Sequence, residues 1–238
     1  MGRAYEVRKA SIQKTGAQKA KVYSMYAKEI YQAAKQGGTD EVSNDSLKRL
    51  IEKAKKDQVP SDLIKRAIDK VKSGAHDDYA SLKYEIFGPG GSYIIVECLT
   101  DNANRSISEI RKVVNKKSAK LADQGSISYM FKTVSVVVLK NVSPDTILET
   151  LIMDDIDVLD IEEENDNVVV YGNMKDLYLI KDSLSKIEGA EGIEEDIIMK
   201  TDSLVELGDE DLNDFLSLAE SLEDEDDVKR LFHNVSNA

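Results

Sequence analysis

Two histidines, one cysteine and many carboxylates make up the reactive inventory of this 238-residue chain. His76 and His233 stand far apart in sequence, and neither falls in a metal-ligand spacing. Cys98 lies in the apolar run Ile94-Ile95-Val96-Glu97-Cys98-Leu99. That setting suits a buried thiol better than a nucleophile, which needs neighbours that stabilise the thiolate. The carboxylates gather in runs, notably Glu162-Glu163-Glu164 and Glu223–Asp227. Such runs read as solvated surface, and neither has the spacing of a calcium loop. There is no Walker-type phosphate loop and no GxGxxG after a strand. Gly88-Pro89-Gly90-Gly91 has the glycine content of a phosphate loop, but it joins two strands and no helix N-terminus follows it. It reads first as a tight turn and second as a ligand contact. The expectation is a non-enzyme with no catalytic residue, metal, cofactor or small-molecule substrate.

What the residue types can do is hold phosphate. Residues 1–75 carry 17 Lys/Arg against 9 Asp/Glu, a balance of +8, and the rest carries 15 against 36, a balance of −21. A basic end on an acidic chain points to a nucleic acid or another anionic partner, although a solvated basic domain would show the same balance. Residues 2–21 hold Arg3, Arg8, Lys9, Lys14, Lys19 and Lys21 with Glu6 as the only acid, and their few apolar residues follow no period. They read as a phosphate-contacting arm. Reversing Arg8, Lys9, Lys14 and Lys21 together is expected to abolish nucleic-acid binding without unfolding the chain.

Three helices follow. Tyr23, Tyr26, Ala27, Ile30, Tyr31 and Ala34 share one face of the first, which Gly37-Gly38 stops. Ser43 or Asn44 caps the second, whose apolar positions are Leu47, Leu50, Ile51 and Ala54. Gln58-Val59-Pro60-Ser61 breaks it, and a third runs to Gly74 on Leu63, Ile64, Ala67, Ile68 and Val71. The break is loosely that of a helix-turn-helix, whose recognition helix would expose Lys65, Arg66 and Asp69. Lys65 and Arg66 therefore join the arm as nucleic-acid contacts, with duplex DNA or ribosomal RNA as the partner and the ribosome as a possible platform.

From Tyr79 the period drops to two. Leu82, Tyr84 and Ile86 alternate with polar residues, the glycine turn follows, and Tyr93–Leu99 forms a second strand. A helix over 103–117 and a short strand over Ser126–Phe131 come next. Asn102, Asn104, Arg105 and Lys112 have two readings: a helix cap with its ion pairs, or a polar cluster beside the hairpin that touches a partner. Lys112, Lys116, Lys117 and Lys120 make this helix the only basic element outside the N-terminal part. Residues 133–199 then read β-α-β-β-α-β, the ferredoxin-like order. The tail offers a short strand at Leu204–Leu207, a helix over 211–222 and a last element over 228–235. It is too short for a core of its own and is expected to complete the earlier sheet. The fold class is α+β with three domains: a basic helical bundle over 1–78, a middle α+β domain over 79–132 plus 203–238, and an inserted ferredoxin-like domain over 133–202.

No stretch approaches the roughly 20 apolar residues of a membrane span, no secretory signal is evident, and a lone cysteine forms no intramolecular disulfide. These features lead to the expectation of a cytoplasmic protein. A third reading is an interaction scaffold, in which the basic end binds the acidic part of another copy.

Long strings carry a family resemblance. Tyr84-Glu85-Ile86-Phe87-Gly88-Pro89-Gly90-Gly91, Val96-Glu97-Cys98-Leu99-Thr100-Asp101-Asn102-Ala103-Asn104-Arg105 and Gly125-Ser126-Ile127-Ser128-Tyr129-Met130-Phe131 resemble the YebC/PmpR family. So do Ala33-Ala34-Lys35-Gln36-Gly37-Gly38 and Val59-Pro60 followed by Ile64-Lys65-Arg66-Ala67-Ile68. Where most members begin Gly-His-Ser-Lys-Trp, this chain has Gly2-Arg3-Ala4-Tyr5, which looks like the family's second branch. The resemblance implies a three-domain cytoplasmic regulator of transcription that binds DNA. It also admits a role in translation, because relatives include a mitochondrial translational activator.

Overall fold

A computed structural model describes residues 16–74, 78–164 and 167–238. Arg3, Arg8, Lys9, Lys14 and His76 lie outside the described residues. The described chain divides into two compact units: one runs to Ser128 and resumes at Val205–Ala238, and the other is Tyr129–Leu204.

The first unit opens with α1 (Gly16–Gly37), α2 (Asp45–Lys56) and α3 (Ser61–Lys72). Tyr26, Ile30 and Ala34 recur every four residues on α1 and meet Leu47, Ile51 and Ala54 of α2 and Ile64, Ala67 and Ile68 of α3 in one core. Ile30 and Leu47 are fully buried, and each such burial contributes roughly 1.5–3 kcal/mol. Asn44 sets the first turn. Its Oδ1 accepts the Leu47 N–H at 3.0 Å, while its Nδ2 donates to the Ala33 carbonyl at 3.0 Å and the Gly38 carbonyl at 2.8 Å. Gly37 makes room for it: a Cβ there would lie 2.6 Å from Asn44 Nδ2. At the second turn Gln58 takes φ 59°, the Val59 N–H bonds back to Ala54, and Pro60 leads into α3. Helices α2 and α3 pack mainly on α1 rather than on each other.

A four-stranded antiparallel sheet follows. β1 (Ala80–Phe87) pairs with β2 (Tyr93–Thr100) through the turn at Gly88–Ser92, where the Gly88 N–H reaches the Ser92 carbonyl at 2.8 Å. Gly90 has φ 60°, and a Cβ on it would lie 2.6 Å from Leu207 Cδ2. β3 (Lys120–Ala122) and β8 (Val228–His233) flank the pair in the order β3-β1-β2-β8. α4 (Ala103–Lys116) and α7 (Asp209–Glu223) cover one face with Ile110, Val114, Phe215, Leu218 and Leu222, against Ile86, Ile94, Val96 and Cys98.

Two expected strands are absent here. Ser126–Phe131 contains a 3-10 turn at Ser128–Met130 instead of a strand, and the strand on the sheet edge is β3. The reason is Glu85, whose buried carboxylate accepts the N–H groups of Gly125 at 2.7 Å, Ile127 at 2.5 Å and Ser128 at 3.1 Å. A strand partner has no donors left to take there. Leu204–Leu207 makes only one parallel bridge, Val205 to Val235, while the Asn237 side chain brackets both the N–H and the carbonyl of Leu207.

The second unit runs β4 (Lys132–Lys140), α5 (Pro144–Met153), β5 (Asp160–Glu164), β6 (Asn167–Asn173), α6 (Leu177–Leu184) and β7 (Glu191–Lys200). The sheet order β5-β6-β4-β7, antiparallel throughout, is the ferredoxin-like arrangement. Val137, Leu139, Val168 and Val170 pack under Ile147, Leu151, Leu177 and Ile180. α6 is preceded by a 3-10 turn at Met174–Asp176. The fold is α+β: a helical bundle, an α+β domain closed by the last strand, and a ferredoxin-like domain.

Candidate nucleic-acid interface

The inward faces of α2 and α3 are spent on the core, so the helical period turns their cations outward. Lys48 and Lys55 on α2 and Lys65 on α3 are exposed, with no carboxylate partner among the described residues. Arg66 is exposed but its Nη2 pairs with Asp62 one turn earlier, and that contact lowers the Asp62 pKa. Lys72 reaches Asp69 at 3.7 Å. Lys70 lies 5.4 Å from the ring centre of the buried Tyr31, so its stem covers apolar surface while its charge stays at the rim. Lys19 is exposed near the start of α1. These exposed point charges can neutralise phosphates. Neither α2 nor α3 carries an Asn or Gln to read a base edge.

The remaining candidate cations are committed within the molecule. Lys21 is half-buried in α1 and its Nζ donates to the Glu223 carbonyl; burial lowers its pKa against the pull of Glu223 and its acidic neighbours. Lys28, about two turns further along the same face of α1, donates to the Leu99 carbonyl at 3.3 Å, the Asp226 carbonyl at 3.4 Å and Asp227 at 3.0 Å. Asn102 caps α4 by accepting the Arg105 N–H at 3.1 Å. Arg105 forks between Asp101 at 2.7 Å and Asp227 at 2.9 Å. Asn104 is exposed, and its carbonyl accepts the Ser108 hydroxyl at 2.7 Å. Lys112 pairs with Glu109 at 2.7 Å on an exposed surface.

Asp227 is the residue that sequence reasoning missed. It ends the acidic run read as solvated surface, yet it is buried. Besides Lys28 and Arg105 it accepts the hydroxyls of Thr100 at 2.9 Å and Ser106 at 2.8 Å. Burial pushes its pKa up, but these hydrogen bonds outweigh burial and hold it at about 2. The cluster ties α1 to the end of β2, the start of α4 and the start of β8. The string Thr100-Asp101-Asn102-Ala103-Asn104-Arg105-Ser106 supplied half of that cluster, but its partner lies 122 residues away from Arg105.

Among the described residues, no group of three His, Cys, Asp or Glu side chains converges as a metal site. Cys98 is buried, and burial followed by the nearby Asp227 charge pushes its thiol up to about 12. His233 is held edge-on to Phe215 at 5.0 Å, its Nδ1 accepts the Val235 N–H, and burial lowers its pKa. Among the described residues, no helix is long and apolar enough to cross a membrane.

Comparison with known proteins matches residues 3–74 to the TACO1/YebC protein N-terminal domain and residues 79–235 to the TACO1/YebC second and third domain. A probable transcriptional regulatory protein of Alteromonas mediterranea is 45% identical over 236 residues, covering 99% of this chain and 98% of that protein. Another, from Acholeplasma laidlawii, is 47% identical over 237 residues, with 99% and 98% covered. The crystal structure of a conserved hypothetical protein from Aquifex aeolicus, Aq1575, superposes with a TM-score of 0.80 at 31% identity, covering 94% of this chain and 92% of that one.

Proposed function

Since this chain belongs to the TACO1/YebC family, we propose that it is a non-catalytic regulator that binds duplex DNA through its basic helical bundle. The observation that carries the reading is the outward row of Lys48, Lys55 and Lys65 on a folded bundle, within a segment of balance +8. Lys19 and Arg66 add exposed cations to these, and Arg3, Arg8, Lys9 and Lys14 add charge from outside the described residues. Together they supply sequence-independent phosphate attraction. Lys21 is not counted among the contacts, because its ammonium is engaged by Glu223. Asn102, Asn104, Arg105 and Lys112 serve the fold first, as cap and ion pairs, and a partner would meet mainly Asn104 and the exposed edge of Lys112.

A second reading is favoured by a specific observation. The bundle offers cations for phosphates but no amide side chain on α2 or α3 for base edges, and shape-and-phosphate recognition is how A-form RNA is bound. Ribosomal RNA is then the partner, and the protein acts in translation from the cytoplasm.

Sedimentation of a cell lysate through a sucrose gradient separates the two. Light fractions, with duplex DNA bound in preference to a random competitor, support the DNA reading. Migration with ribosomes that survives moderate salt contradicts it and assigns the bundle to RNA.

A further inference from the structure

We infer that the open cleft where α4 turns into β3 takes an unpaired base and the flanking phosphates of a single-stranded nucleic acid. The cleft is a shallow, open depression of about 540 Å³, lined by Phe87, Asn115, Lys116, Ser118 and Lys120 among others. Phe87 ends β1 with 38% of its surface exposed, and the Tyr93 ring meets it edge-on at 5.8 Å. Phe87 and Lys120 are direct partners across β1 and β3, so their side chains leave the sheet on the same face. Lys116 stands on the last turn of α4, and neither it nor Lys120 has a carboxylate partner among the described residues. Lys117 anchors this corner instead, donating to Ser217 Oγ of α7 at 2.5 Å.

An exposed ring in one cleft with cations that have no carboxylate partner is the combination on which single strands stack and are held by their phosphates. Simpler roles account for the lysines one at a time: Lys116 complements a helix C-terminus and Lys120 guards a sheet edge. Neither role requires an exposed aromatic ring on the same cleft wall, in the part of the chain with a balance of −21. The inference rests on the nucleic-acid reading of the protein, but it concerns a site apart from the bundle's charged face.

The test uses the full chain and a short oligoadenylate carrying one 4-thiouridine. Irradiation is expected to crosslink peptides containing Phe87 or Lys116–Lys120, in the parent and in a Lys65→Glu/Arg66→Glu variant. Phe87→Leu keeps the apolar contact with Tyr93 and is expected to weaken oligoadenylate binding by roughly 5- to 150-fold, the range for one stacked base. Lys116→Glu/Lys120→Glu is expected to flatten the salt dependence by about 0.7 for each phosphate that is no longer neutralised. Crosslinks confined to other peptides, absence of crosslinks, or parental affinity in both cleft variants would overturn the inference and leave the cleft to an acidic protein face. Loss of duplex binding in Lys65→Glu/Arg66→Glu with the cleft crosslink intact supports both sites. Intact duplex binding there, with single-strand binding removed by the cleft variants, keeps the cleft and rejects the bundle.

Discussion

Two buried residues set the residue-scale account, Cys98 and Asp227. The apolar run around Cys98 indicates a buried thiol, and the structure places it in the sheet core with its pKa raised to about 12. Native protein is therefore expected to resist iodoacetamide at mildly alkaline pH and to react once unfolded; rapid alkylation in the folded state would contradict the burial. Asp227 was not legible, because an acidic run gives no sign that its last member turns inward to partners on three other elements. Its pKa is depressed in the fold from 3.8 to about 2, so the unfolded chain binds the proton more tightly. The stabilisation of about 2 kcal/mol is complete above the unfolded pKa and is lost as pH falls through 3.8 towards 2. Asp227→Asn is expected to lower the melting temperature by about 4–8 °C at neutral pH. The gap to the parent should narrow in urea titrations between about pH 4 and pH 2. A gap that does not change with pH would remove the charge from the explanation.

Whether an element was legible depended on where its partners lie. The bundle helices announce themselves through four-residue spacing of Tyr26, Ile30 and Ala34 and through the local Asn44 cap. The ferredoxin-like order is legible for the same reason, since each of its strands and helices carries its own period. Ser126–Phe131 misleads because Ile127, Tyr129 and Phe131 alternate with Ser126 and Ser128 as one face of a strand would, yet Ile127 and Phe131 are buried while Tyr129 is exposed. The deciding ligand, Glu85, sits about 40 residues earlier and leaves no local trace. Burial pushes the Glu85 pKa up, but the three backbone N–H bonds prevail and lower it. Glu85→Gln keeps the shape, removes the charge and turns an acceptor into a donor facing those N–H groups. A loss of about 1.5–3 kcal/mol in denaturant unfolding is expected. A neutral outcome would mean that the 125–128 turn holds without it. β3, at three residues, is too short for any pattern to reveal.

At the scale of the whole molecule, the segregation of charge is visible in the linear sequence, but the division of labour among the cations is not. Lys21, Lys28 and Arg105 look like the other basic residues until the fold brings the 223–227 turn against them. Subtracting them leaves the outward faces of α2 and α3 as the described surface suited to phosphate, beyond the cleft at the end of α4. The family match supports a regulator, and the structure narrows which side chains are free to act as one. The most direct measurement is the affinity of the full chain for a short DNA duplex from about 50 to 200 mM salt, for the parent and for Lys48→Glu/Lys55→Glu/Lys65→Glu/Arg66→Glu. None of these four residues belongs to a core, so circular dichroism and melting should match the parent. The account predicts weaker binding and a log K against log salt slope shallower by about 0.9 for each phosphate that the variant no longer neutralises. A folded variant with the parent's affinity and slope would contradict it and place nucleic-acid binding elsewhere in the chain.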